Sequence, residues 1–107
     1  MGWNTSLVPE VKEMYGNHCQ VCGLAVAVKG GSYSVGAHIR PLGRPHNGTD
    51  AMGNILCLCP NHHVMFDMGG FTIGEDLVLV GIGGRLLVDD RHGIGMENIR
   101  YHREHYG

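Results

Sequence analysis

Asn54–Asp67 reads NILCLCPNHHVMFD, and the way its side chains are shared out decides the fold. The stretch holds an asparagine, two cysteines, two adjacent histidines and an aspartate; no other part of the chain concentrates as much coordination chemistry. Pro60 suits the first turn of a helix, where an amide hydrogen would go unpaired in any case. A helix is therefore expected through Asn61 to Met68, ending at Gly69-Gly70. Asn54 to Cys59 ahead of it should be extended or turn-like.

Working outward, Cys19 and Cys22 in CxxC spacing can chelate one ion through a single tight turn, and a tetrahedral site needs a second pair. That pair is either Cys57 with Cys59 or Cys59 with His62. Alternate residues on an extended segment lie far apart along the strand, whereas Cys59-x-x-His62 repeats the knuckle spacing. The preferred set is Cys19, Cys22, Cys59 and His62 around zinc, with Cys57 a small buried residue. Two disulfides are the rival use of the four cysteines. A CxxC beside a Cys/His cluster, with no signal-peptide pattern, favours metal. Neighbouring helix residues point about 100° apart, so His62 and His63 are expected to serve two sites. Asp67 lies one turn beyond His63 on the same face. Together they suit an open site for Mg²⁺ or Mn²⁺; the plainer reading of Asp67 is a cap on the glycine turn.

A length of 107 residues implies one domain, 1–107. Its 18 glycines and 7% aromatics suggest a thin core that a structural metal would brace. No segment has the length of a membrane span and no leader is visible, which reads as a cytoplasmic protein. The net charge of −2 hides an asymmetry. From Met14 to Phe66 the only acid is Asp50, against Lys29, Arg40 and Arg44; the rest of the chain carries five bases against nine acids. The half with the metal-type residues is the positive half, the right sign for phosphate.

Elsewhere, Thr5 or Ser6 with Pro9 and Glu10 predicts a helix to about Tyr15, stopped by Gly16-Asn17. Leu24–Val28 and Tyr33–Ile39 flank Gly30-Gly31 and predict a hairpin. Arg40–Gly53 is a loop with a short helical turn near Asp50. Phe71–Ile73, Leu77–Val80 and Arg85–Val88 predict small strands. Met96–Tyr106 predicts a helix burying Met96, Ile99 and Tyr106. His18, His92, His102 and His105 have no assigned role and default to exposed surface.

Taken together, CQVC at 19–22, AHIRPLG at 37–43, Gly53-Asn54 and CPNHH at 59–63 resemble the HNH nucleases of the zinc-knuckle kind, over about residues 19–70. The resemblance implies an α+β, zinc-stabilised ββα-metal (His-Me finger) domain, here with extra short strands and terminal helices. It implies a DNA endonuclease, restriction-related, that hydrolyses phosphodiester bonds with a divalent metal; one such site cuts one strand, so a monomer would nick, with monomer or dimer left open. His38, Asn54 and His63 fall on the catalytic positions. His38 would be the general base, since an imidazole titrating near ~6.5 suits that role. His63, with Asp67, would hold the catalytic Mg²⁺ or Mn²⁺, and Asn54 would pin the loop carrying His38. Arg40, Arg44 and His46 are candidates for contacts to the DNA backbone.

Two residues depart from the family pattern. His62 stands where a fourth cysteine is usual, which zinc accepts. Ala37 stands where relatives commonly place a metal-binding Asp or His, so Asp67 becomes the expected replacement. The alternative is a weak or inactive zinc-stabilised module that binds nucleic acid.

Overall fold

The computed structural model describes residues 6–106. Its elements are α1 (Val8–Met14), β1 (Val26–Val28), β2 (Gly31–Tyr33), β3 (Val35–His38), a 3₁₀ turn (Met52–Asn54), β4 (Ile55–Leu58), α2 (Pro60–Asp67), β5 (Thr72–Ile73), β6 (Leu79–Val80) and α3 (Met96–Tyr106). The strands form three antiparallel pairs, β1 with β2, β3 with β4 and β5 with β6.

β4 lies at the centre. All four of its residues, Ile55, Leu56, Cys57 and Leu58, are buried, so both faces of a two-stranded sheet must be covered. Leu56 and Leu58 join the main core with Ala37, Ile39, Phe66, Phe71, Ile73, Leu79 and Ile99. Ile55 and Cys57 meet Val11 of α1 on the other side. Gly36 makes that second contact possible, because a β-carbon there would stand 2.3 Å from a Val8 methyl.

The expected α+β class is the observed one, with corrections to its parts. The hairpin forecast between 24–28 and 33–39 is made only in part: Val26 pairs with Tyr33 across the glycine turn, and the rest of the second run goes elsewhere. Its second run splits at Ser34, which is fully buried and donates to the Asn17 side chain at 2.6 Å. Gly31–Tyr33 turns back on β1, and Val35–His38 pairs with β4 in the register Val35↔Leu58 and His38↔Ile55. The apolar partner that β3 requires lies beyond the loop, not across the glycine turn. Arg85–Val88 forms no strand; Arg85 makes one bridge to Val78, and Leu86 simply fills the core. The helical turn falls at Met52–Asn54 rather than at Asp50.

α1 starts at Val8, with the Ser6 hydroxyl accepting the Val8 amide at 3.1 Å; Thr5 lies outside the described residues. On α3 the buried residues are Ile99 and His102, whereas Tyr106 is 42% exposed and reaches the Asp67 carbonyl from the rim. His92 and His102 are buried and not surface.

Candidate active site and metal centre

Two clusters share α2, one through Cys59 and His62 and the other through His63 and Asp67. At the outer one, Cys19, Cys22, Cys59 and His62 bring their ligand atoms within 4.8 Å of one another. Cys22 Sγ lies 3.9 Å from Cys59 Sγ, and His62 Nδ1 lies 3.3 Å from Cys59 Sγ and 3.9 Å from Cys19 Sγ. Sulfurs held tetrahedrally at the usual Zn–S length stand ~3.8 Å apart, so this set fits zinc. Burial and the adjacent Cys19 push the Cys22 thiol up to about 11. Crowded thiols of this kind ionise together only around a cation. Cys59 has a second task, since its sulfur also accepts the His62 amide as the N-cap of α2. Cys57 is fully buried and outside the cluster.

The inner cluster lines a cavity of about 450 Å³, bounded by His38 from β3, His63 and Asp67 from α2, Pro41, Leu42 and His46 from the loop, and Tyr101, His105 and Tyr106 from α3. His63 Nε2 and Asp67 Oδ2 are 2.9 Å apart. As it stands this is an ion-pair contact across one helical turn, and its length also matches the ~3 Å between neighbouring ligands of an octahedral ion at ~2.1 Å. Ala37 does not face the cavity. It is 1% exposed, packed in the main core and paired with Leu56.

Asn54 is fully buried beneath the loop. Its Oδ1 accepts the Arg40 amide at 2.8 Å, and its Nδ2 donates to the carbonyls of Arg40 at 2.9 Å and Thr49 at 2.8 Å. One side chain thus ties the exit of β3 to the far arm of the loop. Gly48 closes the same loop, its amide on the Pro41 carbonyl at 2.8 Å, where a β-carbon would collide with the Arg40 carbonyl.

The three residues expected to contact DNA are placed differently. The Arg40 guanidinium lies 4.3 Å over the Tyr101 ring and donates to the His46 carbonyl. His46 Nδ1 is 2.6 Å from the Tyr101 hydroxyl. Both therefore fasten the loop to α3, while Arg44 is exposed.

Sequence reasoning missed one residue. Asp50 Oδ1 lies 2.7 Å from His38 Nε2. Burial opposes its charge, but hydrogen bonds from His38, the Leu7 amide and Ser6 outweigh that and hold the carboxyl below its usual range. Its position as the lone acid between Met14 and Phe66 was the available signal.

Residues 19–74 match the family model described as HNH endonuclease. A solved structure titled "Modification dependent TagI restriction endonuclease" superposes with a TM-score of 0.89 at 48% identity, over 92% of this chain and 36% of that one. The chain thus spans about a third of that relative's length. No curated protein matches it.

Proposed function

Because the chain belongs to the HNH endonuclease family, and is by that membership a phosphodiester hydrolase, we propose that it cuts one DNA strand per event with a divalent cation. The observation carrying this reading is that His38, His63 and Asp67 line one shared cavity. His38 takes the proton from the attacking water. His63 and Asp67 would hold Mg²⁺ or Mn²⁺, the His ligand favouring the softer ion. When bound, that cation supplies positive charge to the phosphoryl and leaving oxygens. Asn54 keeps β3 and the loop in register so that the His38 imidazole stays in the cavity. Arg44 contacts backbone phosphate from the loop, whereas Arg40 and His46 shape the rim. Cys19, Cys22, Cys59 and His62 hold the structural zinc.

One site cuts one strand, so double-strand cleavage needs a second copy or a second event. We read residues 1–107 as one nuclease domain in a restriction-type, intracellular role. The dependence on modified DNA in the relative's title is not carried over, because the likeness covers about a third of that chain.

Asp67→Ala tests the metal assignment. Nicking of supercoiled plasmid titrated with Mn²⁺ should need a markedly higher Mn²⁺ concentration in the variant, on the order of 10-fold or more. An unchanged Mn²⁺ dependence would remove Asp67 from the ligand set.

A further inference from the structure

We infer that Asp50 is a positioning residue for His38: its carboxylate fixes the imidazole as the Nε2-protonated form and leaves Nδ1 as the basic nitrogen. This rests on the reading of His38 as general base. A carboxylate only accepts hydrogen bonds, so the proton in the 2.7 Å contact belongs to His38 Nε2. A neutral imidazole carries one N–H, and its other nitrogen then holds the lone pair. Nδ1 has no hydrogen-bond partner among the described residues, while His38 lines the cavity with His63 and Asp67.

Asp50 is itself held from two directions. Oδ1 also accepts the Ser6 hydroxyl at 3.1 Å, and Oδ2 accepts the Leu7 amide at 2.7 Å, both at the start of α1. From its own loop, the neighbouring Thr49 carbonyl is bound by Asn54. Each carboxylate oxygen therefore already faces a donor, and Asp50 does not line the cavity. These contacts suit a fixed acceptor for His38 and not a ligand for the ion.

An asparagine at this position keeps the shape but has one acceptor for three donors. Its NH₂ must face either the Leu7 amide, loosening α1, or His38 Nε2, forcing the proton onto Nδ1.

The test is the plasmid-nicking rate at saturating DNA and Mn²⁺ for the 107-residue chain and for Asp50→Asn, His38→Ala and the double variant. Asp50→Asn should lower kcat about 10- to 100-fold, as expected for a misplaced catalytic group, with KM for plasmid nearly unchanged. The double variant should be no slower than His38→Ala, because Asp50 acts only through His38. Long-range ¹H–¹⁵N correlation spectra of the parent protein should show His38 protonated at Nε2.

A parent-like Asp50→Asn rate beside a disabled His38→Ala overturns the inference and leaves the base assignment standing. An equal loss from Asp50→Asn in both backgrounds also overturns it. So does an Nδ1-protonated His38 in the parent, a result that needs no variant to fold. Full activity in His38→Ala defeats the base assignment itself, and the inference with it.

Discussion

Asn54 shows how one buried side chain sets the geometry of a site it never lines. Its amide satisfies one backbone N–H and two carbonyls belonging to Arg40 and Thr49. Asn54→Ala would leave those groups buried and unpaired, so a loss of about 3 kcal/mol is expected in urea denaturation. A loss below ~1 kcal/mol would mean that the loop finds other partners. Residues whose chemistry is local were legible in the sequence: CxxC, Cys59-x-x-His62 and His63-x-x-x-Asp67 each state their geometry in their spacing. Asp50 was not, because its three partners, Ser6, Leu7 and His38, are brought to it by the loop and by α1 packing on β3. Arg40 was not legible either: β3 ends at His38, and the guanidinium turns to Tyr101, a partner from α3.

At the scale of elements, α2 was readable because Pro60 and Gly69-Gly70 bound it in the sequence. The pairing of β3 was not, since a glycine turn beside two apolar runs signals a hairpin whether or not a better partner exists further on. The buried ILCL run of β4 was that partner. α3 carries a consequence of its buried histidine. His102 stacks on Phe66 at 3.7 Å and donates Nε2–H to the Phe66 carbonyl at 2.8 Å, while its buried Nδ1 has no partner. Burial lowers the pKa of this imidazole, against the smaller upward pull of the carbonyl bond. The sign follows from linkage: below ~6.5 the unfolded chain binds a proton that the folded chain refuses. Stability conferred by neutral His102 is thus intact above ~6.5 and drains as pH falls toward the lowered value. In paired urea melts at pH 7 and pH 5.5, His102→Phe should lose less stability on acidification than the parent. Equal losses would show that His102 accepts a proton freely in the folded chain.

Over the whole molecule, the division of labour follows charge and burial. The positive half, from Met14 to Phe66, holds Cys19, Cys22, His38, Cys59, His62 and His63, while most of the acids lie elsewhere. Among the described residues no helix is long and apolar enough to cross a membrane. Small paired strands leave a core that depends on β4, and the Cys/His cluster ties the 19–22 knuckle to α2 at the edge of that core. On this account zinc holds the frame, and the neighbouring face of α2 carries His63 and Asp67 into the cavity that His38 also lines. The most direct test is the conversion of supercoiled plasmid to open circle, with Mn²⁺ or Mg²⁺, by the parent chain and by His38→Ala. The parent should nick only with a divalent ion, and the variant should be slower by about 10²- to 10⁴-fold. A parent inactive in every divalent ion, or a variant as fast as the parent, would contradict the account.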